Sequence, residues 1–335
     1  MEKPNTQPPT NVTERSFLVQ VSRRVMACEF QVLLNADQYS RGPDLAIDAL
    51  NLTELLESQL SVYRNDSEIS QLNQSAFNNF INVDSSLFAL LQLAITISAE
   101  TEGAFDIATG ALTNVWGFRD RVGRFPHEQE ILDVLPHVGF HHVTLKDNPC
   151  RVRFDRQHLQ LNLGSIGKGY ALDRGASALR EESINDFLFH GGHSSILAVG
   201  ARATSTNSQD GWRVSLSHPL RNDIQLGEIV LRDQGLGTAG SGNQFFHHRG
   251  KRYGHILDPR TGRPTEGLLS VTVIAPNATL ADALATAFFV MGIEAASDYC
   301  SSRNELSAIF VFPEKRAQTT RIQTINLDEN QWSAI

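Results

Sequence analysis

The chain has 335 residues, 41% hydrophobic and 20% charged, with a formal net charge of −8. Such a composition supports a sizeable core and, without any basic block, argues against general nucleic-acid affinity. Nothing approaches the ~18 consecutive apolar residues of a membrane span, and three scattered cysteines (Cys28, Cys150, Cys300) without a CxxC pair argue against a disulfide framework or structural zinc.

Residues 1–15 are polar and proline-bearing and read as a disordered tail. They lack the apolar h-region of a signal peptide, so the expected location is cytoplasmic. Residues 16–335 are expected to form a single domain. Phe17 to Leu34 carries two strand-like runs around Arg23 and Arg24. Asp44 to Leu60 has helical spacing, with Pro43 near its start and Leu45, Leu52, Leu55, Leu56 and Leu60 on the apolar side. A polar loop with one helical turn, SVYRNDSEISQLNQ, follows, then a second helix from Ser85 to Glu100 capped by Asp84 or Ser85. Gly103 to Phe118 is glycine-punctuated and reads as loop, and Glu128 to Leu135 as a short helix stopped by Pro136.

Beyond it, VTLKD, RVRF and HLQLNL read as strands, and Gly164 to Glu182 as a glycine-rich turn entering a helix. Strands then dominate: DFLFHGG, SSILAVG, WRVSLSH, GEIVLRD, the β-branched run Ser270 to Ala275, SAIFVF and RIQTINL. A helix with Leu280, Ala283, Leu284, Ala287, Phe288 and Met291 at helical spacing lies among them. The order predicts an α+β fold: a mixed or antiparallel sheet with packed helices.

Several motifs admit chemistry. Three glycines and Lys168 in GSIGKGY suit the approach of a phosphate, or simply a tight turn with a solvated lysine; the P-loop spacing is absent. GLGTAG (Gly235 to Gly240) matches GxGxxG, but the following SGNQFFHHRGKRYGH has no helical period, so the dinucleotide reading is rejected. Asp282 and Thr286 lie four apart on one helix face and offer two oxygens to a hard cation. Asp282 also follows Thr279 at capping-box spacing, and a helical threonine often bonds back to the preceding turn, so both retain structural readings. His255 is structural or catalytic, beside a charged cluster of Asp258, Arg260 and Thr261. The histidines of HGGHSS and the His247/His248 pair match no familiar zinc set, and no GxSxG elbow supports a serine hydrolase.

Six blocks, in order, resemble the FAD:protein FMN transferase family, the ApbE-like flavin transferases. They are VMACEF, SVYRNDSEISQLN, GAFDIATGALTNVWGF, LNLGSIGKGYALD, FHGGHSSILAVG, and GKRYGHILDPRTGRP followed by SVTVIAPNATLADALATAFFVMG. The resemblance implies FAD as substrate with Mg2+, and transfer of FMN to a threonine or serine hydroxyl of an acceptor protein with release of AMP. FAD hydrolysis to FMN and AMP, or flavin binding without catalysis, are the alternatives. It implies metal ligation by Asp282, Thr286 and the Ser165 carbonyl, and flavin-nucleotide contacts from Met26, Tyr63, Ala104, Phe105, Asp106, Lys168 and Ile256. His255 matches the catalytic histidine, and Asn73 the position linked to transfer versus hydrolysis. Two departures from the family pattern are Ala239, where a serine is usual, and Ala108, where a threonine is usual.

Overall fold

Eight strands form one antiparallel sheet whose spatial order follows the chain: Leu18–Val25, Cys28–Asn35, Phe187–Gly191, Ser195–Val199, Gln234–Gly240, Ser270–Ala275, Ser307–Pro313 and Thr320–Ile325. The computed structural model describes residues 17–203, 211–242, 244–314 and 320–335. The tail expected over residues 1–15 lies outside the described residues. Because each strand pairs with the next in this series, the sheet is a meander. The rest of the chain consists of excursions from it.

The first excursion, residues 36–186, carries helices α1 (Gly42–Leu60), α2 (Glu68–Ser75), α3 (Ser85–Glu100), α4 (Gly110–Val115), α5 (Glu128–Val134) and α6 (Gly167–Glu181). Later come α7 (Ala278–Met291) and α8 (Ile293–Cys300). Helices α6 and α7 pack on one face of the sheet, with α1 against α6. A three-stranded sheet of Trp212–His218, Arg221–Leu231 and Trp332–Ala334 covers the other face through Trp212, Ile229 and Leu231 against Ile274 and Ile309. Sandwiched between these layers, Phe187–Gly191, Ser195–Val199 and Ser270–Ala275 are buried at every position. That is why they read as continuous apolar runs instead of alternating ones.

GLGTAG is the central strand. A Cβ on Gly235 would lie 2.3 Å from the Asn277 carbonyl carbon, and one on Gly237 2.4 Å from the Ala281 carbonyl oxygen. The glycines therefore let α7 lie directly on the sheet. Gly169 serves the same closeness: its Cβ would sit 2.1 Å from the Ala278 oxygen, where the N-terminal turns of α6 and α7 meet.

Other local expectations shift. α1 buries Leu45, Ala49, Thr53, Leu56 and Leu60, whereas Leu55 is 67% exposed. Thr53 is tolerated inside because its hydroxyl donates to the Leu50 carbonyl at 2.7 Å. The expected turn in SEISQLNQ is a full helix, capped by the Ser67 oxygen accepting from Ser70 N at 3.0 Å. The glycine-punctuated loop contains α4, too short to show a period. HLQLNL forms no strand; Asn73 holds this segment by pairing with both backbone groups of Leu161, at 3.0 and 2.7 Å. No helix among the described residues is long and apolar enough to cross a membrane.

Candidate active site

The excursions converge at one end of the sheet around a cavity of about 520 Å³. Its walls include Tyr63, Ala104 and Asp106 from the first excursion, the Gly192–Ser194 turn, Thr238 to Gly240 at the end of the central strand, and His255 and Ile256. The floor combines Ser165 and Lys168 with Asp282 and Thr286.

Asp282 is the best-fixed group in the cavity. It is 6% exposed. One carboxylate oxygen accepts from the Gly169 N–H at 2.7 Å, the other from the Ser195 hydroxyl at 2.7 Å, and the Lys168 ammonium lies 3.7 Å away. Burial pushes its pKa above the usual carboxylate range, opposed by Lys168 and these two donors. The capping-box expectation fails. The cap of α7 is Asn277, whose side chain accepts from Leu280 N at 2.8 Å, and Asp173 of α6 takes the Ala278 and Thr279 N–H groups at 2.9 and 2.8 Å. The Thr279 hydroxyl also donates to Asp173. Asp282 is thus released from capping and faces the cavity.

The Gly169–Asp282 bond has a second effect. A helical N–H ordinarily reaches the carbonyl four residues back, which for Gly169 is that of Ser165. With the Gly169 N–H committed to Asp282, the Ser165 carbonyl accepts no hydrogen bond among the described residues. Nor does the Thr286 hydroxyl bond to its preceding turn, in contrast to the helical Thr96, whose hydroxyl donates to the Gln92 carbonyl at 3.1 Å. Asp282, Ser165 and Thr286, which all line the cavity, therefore offer one carboxylate, one carbonyl and one hydroxyl with lone pairs available. These are hard oxygen donors of the kind Mg2+ takes. Among the described residues no three His, Cys, Asp or Glu side chains gather at a metal-binding spacing.

His255 is held by its Nδ1, 3.2 Å from the Gln244 carbonyl. A carbonyl oxygen only accepts, so Nδ1 carries the proton and Nε2 keeps a free lone pair. Burial, and more weakly Lys168, lower its pKa below 6.5, keeping the imidazole neutral at neutral pH. The neighbouring Asp258 and Arg260 bind each other, at 2.9 and 3.0 Å, and shape the turn.

Three other expected residues lie elsewhere. Phe105 is fully buried in the main core between Ala104 and Asp106. Met26 sits in the left-handed turn of the first hairpin, packed against the core. Asn73 lines an adjoining pocket of about 230 Å³ that shares Thr113 and Asn162 with the main cavity. Asp106, half-buried, accepts from Ala108 N at 2.7 Å and Phe140 N at 2.8 Å, so it anchors the wall as well as lining it. Burial raises its pKa. Ala108 is fully buried, and Ala239 lines the cavity beside Thr238, whose hydroxyl is 2.9 Å from that of Thr272. Sequence reasoning missed Ser195, Gln244 and Asp173. Their partners stand 87, 11 and 106 positions away, so no local spacing signals them.

Comparison with known proteins adds a common ancestry to this geometry. The model of the ApbE family matches residues 26–310. A FAD:protein FMN transferase of Treponema pallidum is 31% identical over 298 residues, covering 84% of this chain and 82% of its own. One from Salmonella typhimurium is 33% identical over 258 residues, covering 75% and 72%. Among solved structures, the ApbE protein of Thermotoga maritima superimposes with a TM-score of 0.81 over 92% of this chain and 97% of that one, at 26% identity. Flavin transferase ApbE from Vibrio cholerae gives 0.79 over the same shares, also at 26% identity. Fold and site define an α+β protein with a cavity lined by Asp282, Lys168 and His255 at the end of a meander sheet. The chain belongs to the ApbE family.

Proposed function

We propose that the protein transfers the FMN moiety of FAD to a threonine or serine hydroxyl of an acceptor protein and releases AMP. Family membership supports this, and so do relatives that bear the name FAD:protein FMN transferase. The observation that carries it is the Ser165 carbonyl freed by the Gly169–Asp282 bond, beside the Thr286 hydroxyl.

In this reading Asp282, Thr286 and the Ser165 carbonyl hold Mg2+. The ion supplies charge neutralisation for the pyrophosphate and for the departing AMP oxygen. Lys168, now beside Asp282, holds a phosphate oxygen. Tyr63, 64% exposed at the cavity, offers an aromatic face to a ring system. Ala104, Asp106 and Ile256 shape the nucleotide wall, and Asn73 acts on it through the Leu161 segment. The His255 Nε2 accepts the proton of the incoming hydroxyl. The hydroxyl oxygen bonds to the FMN phosphorus while the bond from that phosphorus to the bridging oxygen breaks, and AMP leaves with that oxygen. Residues 16–335 act as one domain in this reading, because the reacting groups come from excursions far apart in the chain.

The test is to incubate the protein with FAD, Mg2+ and a total protein extract. Denaturing gels are then scanned for flavin fluorescence and the adduct is weighed by mass spectrometry. Transfer is expected to add one FMN to a threonine or serine and release one AMP. Free FMN and AMP without any adduct would instead identify a FAD pyrophosphatase, and neither product would leave flavin binding alone.

A further inference from the structure

We propose that a second surface, the outer face of the small sheet formed by Ile81–Asn82, Arg151–Phe154 and Val143–Lys146, docks an acidic segment of the acceptor protein. The proposal rests on the transfer reading above. Within this sheet Lys146 stands directly opposite Arg151, and Thr144 opposite Arg153. Val152 and Phe154, between and after the arginines, are buried, so Arg151 and Arg153 project from the other side. The ring of Phe80 lies beneath all three cations, 6.0 Å from Lys146, 5.3 Å from Arg151 and 5.0 Å from Arg153.

None of the three meets a carboxylate among the described residues, and the nearby Asp155 is engaged by His142 at 2.8 Å. The Nε–H groups of Arg151 and Arg153 are buried and find no acceptor. Like charges directly opposite on an antiparallel pair repel, and a buried donor left unpaired costs free energy. A chain of net charge −8 thus keeps a cationic cluster with no carboxylate of its own beside it. An anionic partner relieves the charge repulsion, and guanidinium groups match carboxylates.

Shape and position select the partner. The face is a sheet surface, unlike the concave sites that small molecules occupy. The Phe80 ring is 37% exposed with the three cations around it, so a bilayer is the competing surface in the test below. The sheet is tied to the end of α2 by Phe154 N to the Ala76 carbonyl at 2.8 Å and Asn78 N to the Phe154 carbonyl at 2.9 Å. Asn73, near that end of α2, lines the pocket adjoining the main cavity. The face is thus linked to the cavity through the end of α2 and the adjoining pocket, and an acceptor polypeptide with its hydroxyl in the cavity runs on to it in this proposal.

The probe is a fluorescein-labelled hexaglutamate peptide, with hexaglutamine as control and phosphatidylserine vesicles as a competing surface. Wild type is expected to bind hexaglutamate at low salt and lose it at high salt. K146Q/R151Q/R153Q should bind about ten-fold more weakly, while R151K/R153K, which keeps the charge, binds measurably. Melting temperature and FAD affinity of the triple variant should match or exceed wild type, which separates lost docking from lost folding. Equal binding by wild type and the triple variant, no binding to wild type, or binding to vesicles but not peptide overturns the proposal. With an acceptor in hand, the triple variant should show a raised KM for acceptor at unchanged kcat, and an unchanged KM overturns docking. If wild type transfers no FMN, the transfer reading fails, and peptide binding still reports separately on the surface.

Discussion

Asp282 carries a cost that a cation would remove. Its carboxylate is buried, and burial raises its pKa against the pull of Lys168, Ser195 and Gly169. A carboxylate with a raised folded pKa opposes folding at pH values where it ionises in the unfolded chain. In the proposed reading Mg2+ bound at Asp282 would reverse this, so added Mg2+ is expected to raise the melting temperature of wild type and leave D282N unmoved. Equal shifts in both proteins would remove Asp282 from the metal site. D282A should lower FMN transfer by roughly 100-fold or more, far beyond what a lost helix cap would do. His255 is tested by pH. A base must be unprotonated, and its pKa is lowered from 6.5 by burial. The acid limb of the kcat profile is therefore expected below pH 6.5, with activity lost as pH falls through the lowered value. H255A should slow transfer by about 10²–10⁴-fold while FAD affinity stays unchanged; a limb at or above 6.5 excludes His255 as that base.

At the scale of elements, α7 decides where Asp282 and Thr286 point, and two glycines decide where α7 lies. A methyl on Gly237 would press on the Ala281 carbonyl at 2.4 Å and the Asp282 N at 2.6 Å. G237A is therefore expected to lose about 1–3 kcal/mol by overpacking, read as a lower denaturant midpoint at unchanged slope, together with weaker Mg2+ binding. An unchanged midpoint would mean that the helix yields freely. The helix itself was legible from its apolar spacing, and so were α1, α3 and α6. Its start was not. Thr279 and Asp282 have the spacing of a capping box, yet Asn277, with an extended backbone and a side chain reaching Leu280 N, takes the cap. The central strand was also missed, because glycine is depleted in strands. Its glycines answer to a helix more than 40 positions away in the chain.

For the whole molecule, the cavity exists only when the excursions are folded together, since its lining runs from Tyr63 to Thr286. A ligand filling it stabilises every contributor at once. FAD at a hundredfold excess over its Kd is expected to add about 2.7 kcal/mol, seen as a higher melting temperature in one transition. Stabilisation confined to part of the melting curve would show that the walls unfold separately.

The sequence by itself determined the family, the α+β class, most of the helices and buried strands, and the residue types of the site: a carboxylate and hydroxyl four apart, a lysine in a glycine turn, a histidine before an apolar pair. These were legible because blocks and periods are local properties of the chain. Only the tertiary structure decided that Asp282 is held by Ser195 and Gly169 instead of capping its helix, that the Ser165 carbonyl is thereby left free, and that Gln244 sets the proton on His255. It likewise brought Lys146, Arg151 and Arg153 around one ring. The physical reason is common to all of them. Hydrogen bonds, charge and close backbone approach act through space, and the partners that settle each role stand where the folded sheet, not the chain, brings them.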